Sequence, residues 1–397
     1  MDTPALAGRR KDRVWLGRDS GTLAAFKVAV ERETKAADWP HAAEILDNIP
    51  VYEGDHVRSA DANAQGRLEW MAEWTEIFDT GPGVIVIRNA IADPTVVGRA
   101  SEIFTEIINE QRRTQSGGGD HFARPGANDR VWNALEKHCL ADPGNFARYF
   151  ATPCIALPSL AWLGAGYQVT AQVNRVNPGG EAQTAHRDYH LGFMGPQQIE
   201  AFPAPAHVIS PRLTLQGAIA HCDMPVESGP TMLLPYSQTY FEGYIAFSRP
   251  EFQDYFRENN VQLPLKTGDA VFFNPAVMHA AGTNRSKDIY RLANLLQISS
   301  AFGRAMESVN RVRMAKALYP ALLDALNSGS LMRAEIGYAI ASAAEGYSFP
   351  TNLDSDPPVG GMAPQSQAAF MAEAFDRKMP EREFAAELER REKKRAA

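Results

Sequence analysis

Between about Tyr167 and Ile298 the chain is interrupted at short intervals by turn-forming residues: Asn177-Pro178-Gly179-Gly180, Glu227-Ser228-Gly229-Pro230, Leu265-Lys266-Thr267-Gly268-Asp269 and Gly282-Thr283-Asn284. Short runs rich in β-forming residues lie between them, at 168–176, 212–223, 231–234, 270–273 and 291–299. Such alternation of short strands and Gly/Pro/Asn turns predicts a β-sandwich or barrel of the jelly-roll kind. One helical insertion, about 239–260, interrupts it.

The flanks read differently. Residues 1–80 are predicted to be a helical extension, with Leu68, Met71, Trp74 and Phe78 at helical spacing forming a packing layer. Val84-Ile85-Val86-Ile87 reads as a buried strand. Asp93-Pro94 then opens a helix to about Gln111, because Asp caps and Pro removes amide donors that a helix start leaves unpaired. Helical period returns after Ser300, at 305–326 and 331–344. A Pro/Gly-rich stretch at 349–364 and a charged run at 381–394 follow, the latter read as a solvated or frayed helix without function. The expected organisation is therefore 1–80 helical extension, 81–300 β domain and 301–397 helical extension: a mainly β core with helical additions.

Composition narrows function by exclusion. A net charge of −7 and a pI near 5.8 give no electrostatic footprint for nucleic acid or an anionic membrane. No apolar run approaches a membrane span, and no apolar segment follows the basic N-terminal residues. Cys139, Cys154 and Cys222 have no metal-ligand spacing and suit reduced thiols. The expectation is a cytoplasmic protein acting on a small molecule, with no protein partner implied.

The chemistry-bearing stretch is His186-Arg187-Asp188, which follows the Pro-Gly-Gly turn. If it is extended, side chains two apart share a face, so His186 and Asp188 project together and Arg187 points away. His279 is the candidate third ligand. Two histidines and one carboxylate on one side of an ion form the facial triad of non-haem Fe(II) oxygenases, with the opposite positions open. A second pair, His221 and Asp223, leads directly into the 227–230 turn and is read as a hydrogen-bonded core pair. Tyr189, His190, Phe193 and Met194 are candidate pocket residues. His121, Arg124 and Arg130, in a stretch opened by Gly117-Gly118-Gly119, are candidates for substrate contact. The aromatic cluster leans the substrate toward an apolar or ring-bearing molecule.

In combination, Val173-Asn174-Arg175-Val176-Asn177-Pro178-Gly179, Ala185-His186-Arg187-Asp188, Glu227-Ser228-Gly229-Pro230-Thr231, Thr267-Gly268-Asp269-Ala270-Val271-Phe272-Phe273 and His279 through Arg291 resemble the phytanoyl-CoA dioxygenase family. That family uses Fe(II), 2-oxoglutarate and O2. The resemblance implies a double-stranded β-helix, iron held by His186, Asp188 and His279, and Arg291 meeting the distal carboxylate of 2-oxoglutarate. An Arg fits that role because its charged planar fork pairs with a carboxylate through two hydrogen bonds. Asn174, on the same strand face as Gln172 and Thr170, is a further candidate for cosubstrate contact.

The implied reaction releases succinate and CO2 and hydroxylates an unactivated C–H bond, with desaturation or epoxidation as variants. Asp188 matters here, since related halogenases carry a small residue in its place. One departure is Ala281, where members often carry a hydroxyl that helps the arginine; Thr283 or Tyr290 are the candidate substitutes. Two other readings remain open: a non-redox, cupin-like metal enzyme, and a catalytically silent binding protein on the same fold.

Overall fold

A computed structural model describes residues 11–114, 126–192, 194–349, 351–358, 360 and 362–396. Ten strands occur among them: β1 (Glu44–Leu46), β2 (Ile49–Glu53), β3 (Val84–Arg88), β4 (Asn128–Val131), β5 (Gln168–Val176), β6 (Thr214–Ala220), β7 (Met232–Leu234), β8 (Ala270–Phe273), β9 (Met278–Ala280) and β10 (Arg291–Ser299). Eight form one sheet in the order β1-β2-β3-β8-β6-β10-β5-β4, and β7 pairs with β9 opposite. Pairing is antiparallel except between β2 and β3. Isolated bridges His186↔His279 and Leu233↔Val261 widen the second sheet on both sides, completing the expected jelly-roll.

The large sheet is buried on both faces, which explains why its strands read as apolar runs and not as clean alternations. Ile85, Ile87, Ala171, Val173, Leu215, Ile219, Phe272 and Leu296 pack outward in the major core, which also contains Phe146, Leu157, Leu318 and Ile340 from helices. Val84, Val86, Ala218, Ala220, Val271 and Phe273 face inward and pack with Leu233, Leu263 and Leu265 between the sheets.

Several turn motifs serve this frame. Asn284 donates to the Val176 and Ile289 carbonyls (3.1 and 2.8 Å), tying the end of β5 to the entry of β10. The Asp269 carboxylate accepts the Asn89 and Lys266 amides, which locks the turn into β8. Gly268 there has φ of +90°, a conformation closed to most side chains.

Three expectations are corrected. The first 80 residues are not only helical: β1 and β2 join the main sheet beside β3. In the helix Ala64–Asp79, Trp74 and Phe78 are buried as expected, but Leu68 is 57% exposed and Trp70 and Ile77 take the inner face. The charged tail is a docked helix, Glu381–Arg395, whose Phe384 stacks on Tyr319 at 4.0 Å. The 239–260 insertion is two helices, Gly243–Ala246 and Pro250–Asn259. No helix among the described residues is long and apolar enough to cross a membrane.

Candidate metal centre and cavity

His186, Asp188 and His279 meet between the sheets, with ligand atoms all within 4.8 Å of one another. His279 comes from β9. His186 reaches it through a single bridge, with His186 N to His279 O at 2.9 Å and the reciprocal bond at 3.0 Å. The expected second strand is thus one bridge long, yet the period-two geometry holds: Asp188 lies beside both imidazoles, 3.7 Å from each Nε2.

Both histidines are held in one tautomer. His186 Nδ1 faces the Thr184 carbonyl at 2.9 Å and His279 Nδ1 faces the Val277 carbonyl at 2.8 Å. A carbonyl only accepts, so Nδ1 carries the proton and the Nε2 lone pair is left for a metal. Burial, with His186 adjacent, pushes His279 below the usual histidine range, against the opposing pull of Asp188. Asp188 Oδ2 accepts a hydrogen bond from Gln216 Nε2, and Asp188 O accepts one from Tyr244 Oη at 2.9 Å.

Arg187 points away, as expected, but into a buried site. It donates to the Ser237 and Tyr240 carbonyls and lies over the Tyr244 ring. Burial lowers it to about 10. Gly243 makes this possible, because a Cβ there would collide with the guanidinium.

The triad opens onto a cavity of about 380 Å³ whose wall is set by strand register. Across the sheet run the inward rows Arg130–Asn174–Ala293–Ala220, Gln172–Leu295–Ala218–Val271 and Thr170–Gln297–Gln216–Phe273. On the β6–β8 side the wall is small and apolar: Ala218, Ala220, Met224, Leu265 and Val271. Arg291 stands at the end of this side.

Arg291 is 6% exposed, and among the described residues it donates to the Gly282 carbonyl at 3.5 Å. Burial lowers it to about 10. A buried guanidinium with no carboxylate is costly unless a ligand supplies the anion. Asn174 is also on the wall, its Oδ1 buried without a donor.

Other candidates fall elsewhere. Tyr189 is packed against Tyr244, Phe202 and His207, off the cavity wall. His190 bonds Ser210 Oγ and Thr214 Oγ1 at 2.8 Å each and also does not line the cavity. Met194 packs with Leu16 and Tyr244. His121, Arg124 and Phe193 lie outside the described residues. Arg130 does line the cavity, from β4, donating to Gln172 Oε1 at 2.7 Å beside Trp132.

Neither proposed substitute for the missing hydroxyl is near Arg291 in the bonds it makes. Thr283 Oγ1 accepts the Ala182 amide, and Tyr290 is 56% exposed under Arg175. Thr231 puts a hydroxyl-bearing side chain on the wall instead. The decoy pair is separated: His221 is bonded to Ser101 and Tyr149 at 2.8 Å each, while Asp223 caps Thr267. Residues the sequence reading passed over are Gln216, Gln297, Trp132, Met306 and Glu307, all on the wall.

A match to the phytanoyl-CoA dioxygenase (PhyH) family spans residues 81–293, more than half of the chain. The chain belongs to that family. Its structure is similar to that of the non-heme alpha ketoglutarate dependent epimerase SnoN from nogalamycin biosynthesis, at 20% identity and TM-score 0.39, covering 59% of this chain and 84% of that one. It is also similar to the carbocyclase SnoK from the same biosynthesis, at 18% identity and TM-score 0.44 over 65% and 92%. A third is EvdMO1, at 16% identity and TM-score 0.40 over 58% and 50%. Comparison with curated proteins gives no match.

For this PhyH-family chain the donor set fits the family's group. The triad offers two Nε2 lone pairs and a carboxylate on one side, the mode by which non-haem iron is held with open positions. The same cavity supplies a buried cation that meets no carboxylate among the described residues, as a dicarboxylate cosubstrate requires.

Proposed function

We propose that this protein is an Fe(II)- and 2-oxoglutarate-dependent dioxygenase that hydroxylates a C–H bond of a small organic molecule. The observation that carries this reading is the shared cavity, with the His-Asp-His cluster in its wall and, at one end, Arg291, which meets no carboxylate among the described residues. His186, Asp188 and His279 would hold iron, and Arg291 would pair with the distal carboxylate of 2-oxoglutarate. When bound, iron would bring O2, the oxidant, together with 2-oxoglutarate, which gives up two electrons on going to succinate and CO2, the other two coming from the unactivated C–H bond.

The protein's own groups do the rest. Thr184 and Val277 carbonyls fix the imidazole tautomers, Gln216 orients the Asp188 carboxylate, and the small apolar wall of Ala218, Ala220 and Val271 accommodates a methylene chain running toward Arg291. Asn174 lies one row from Arg291 and would contribute a polar contact to a bound ligand.

The test is anaerobic. Adding 2-oxoglutarate to the Fe(II) protein is expected to produce a metal-to-ligand absorption band, and O2 should then yield succinate. His186→Ala should show neither, and His221→Ala should keep both. No band on wild-type protein would favour a non-redox metal enzyme; a band with no O2-dependent succinate would favour a silent binding protein.

A further inference from the structure

The side of the cavity away from Arg291 has a different chemistry. It is formed by Arg130, Trp132, Gln172, Gln297, Met306 and Glu307, the last two from the segment after β10. Gln172 is satisfied internally: its Oε1 takes Arg130 and its Nε2 meets Met306 Sδ at 3.6 Å. Three other oxygens on the wall are not. Gln216 Oε1, Gln297 Oε1 and Glu307 Oε2 are buried and meet no donor among the described residues.

Two of these oxygens have fixed identity. Gln216 must turn its amide NH2 toward Asp188, since a carboxylate only accepts, and this leaves its carbonyl as the free end. Glu307 spends Oε1 on the Asn133 amide at 2.7 Å, leaving Oε2 without a partner. Gln297 is the direct cross-strand partner of Gln216, so the two amides stand side by side next to the metal carboxylate.

Buried acceptors need donors. 2-Oxoglutarate at neutral pH offers only acceptors, so it cannot satisfy them. We infer that the substrate is a hydroxyl- or amine-bearing compound, presenting at least two hydrogen-bond donors to Gln216, Gln297 and Glu307. This rests on the 2-oxoglutarate reading above and adds hydrogen-bond donors to the expectation of an apolar or ring-bearing substrate, two of whose supporting residues, Tyr189 and His190, lie off the cavity wall. A site built to hydrogen-bond a substrate hydroxyl rejects the analogue lacking it far more strongly than an apolar pocket discriminates size.

The experiment uses the full-length Fe(II) protein with 2-oxoglutarate under anaerobic conditions. Binding of cyclohexane-1,3-diol, 3-aminocyclohexanol and resorcinol is compared with that of their fully O- or N-methylated counterparts by ligand-observed NMR competition. The donor-bearing probes are expected to bind at least about tenfold more tightly, one lost hydrogen bond's worth. That ratio should shrink in Gln297→Leu and, separately, in Glu307→Gln. Equal binding of diol and diether, a preference for the diether, or no binding of any donor-bearing probe to protein that shows the 2-oxoglutarate band overturns the inference and leaves the cosubstrate reading standing. Absence of the band itself overturns the cosubstrate reading instead.

Discussion

Arg291 and Gln216 illustrate how a single side chain is placed for a ligand at the expense of the fold. Arg291 is a cation nearly removed from water with one long bond to a carbonyl. Replacing it with Leu removes the desolvation penalty, so Arg291→Leu is expected to stabilise the ligand-free protein by about 1–3 kcal/mol. The same change should weaken 2-oxoglutarate binding by about 10- to 100-fold, the value of a charge-assisted pair. Arg291→Lys should recover little, because an ammonium lacks the planar fork. Calorimetric titration with 2-oxoglutarate and thermal unfolding of the apoprotein read the two effects separately, and a loss of both would sink the argument. Gln216 acts on the metal only through Asp188, its other end being the oxygen assigned above to a substrate donor. Gln216→Leu is therefore expected to raise the Fe(II) dissociation constant by about 10- to 100-fold, as lost partners of metal ligands do. Gln297→Leu, also buried and one strand away, should leave iron affinity unchanged; equal losses would mean a packing effect.

At the level of elements, legibility in the sequence followed local signal. β5, β8 and β10 were read with their observed bounds because Asn-Pro-Gly-Gly, Thr-Gly-Asp and Gly-Thr-Asn turns punctuate them. β1 and β2 were missed because Pro50 sits inside β2 and argues against a strand, while the informative signal was the Asp47-Asn48 turn, with φ of 45° and 67°. The triad was visible as residue chemistry, whereas Arg291 was singled out by the family resemblance. Gln216 and Gln297 were not visible, since an amide in a strand has no spacing that marks it, and only cross-strand register brings the two together. The C-terminal segment, read from its charge as a solvated helix or frayed end, is a helix, but a docked one. Phe384 and Leu388, four apart, form its buried stripe, each 1% exposed. Phe384→Ala is expected to cost about 3–5 kcal/mol in urea unfolding, as for other buried aromatics, whereas a frayed tail would cost nothing measurable.

Across the whole molecule, two buried neutral histidines act as ties: His221 joins the helical layer to the sheet, and His138 joins helices within that layer. His221 bridges Ser101, in the helix Pro94–Thr114, to Tyr149, in the helix Pro143–Phe150, and Tyr149 in turn accepts from Asn294 of β10 at 3.2 Å. His138 pairs with Asn145, which donates to the Val96 carbonyl. Burial pushes His221 down to about 3, with His138 nearby adding to it, and pushes His138 down to about 4. Both folded values lie below the ordinary histidine value of about 6.5. The unfolded chain therefore takes up protons that the folded chain refuses as pH falls below about 6.5. Stability is fully present above that point and declines toward pH 4, by about 1.4 kcal/mol per pH unit for each histidine. Glu73, Asp269 and Glu307 are raised by burial and act in the opposite sense. Their contribution cancels between two proteins that differ only at residue 221. His221→Gln keeps a donor and an acceptor but does not titrate, so its urea-unfolding free energy should fall less steeply than that of the wild type between pH 6.5 and 5, by about 1.4 kcal/mol per unit. Parallel curves would mean that His221 is not held neutral and that the helix-to-sheet seam is wetter than its packing indicates.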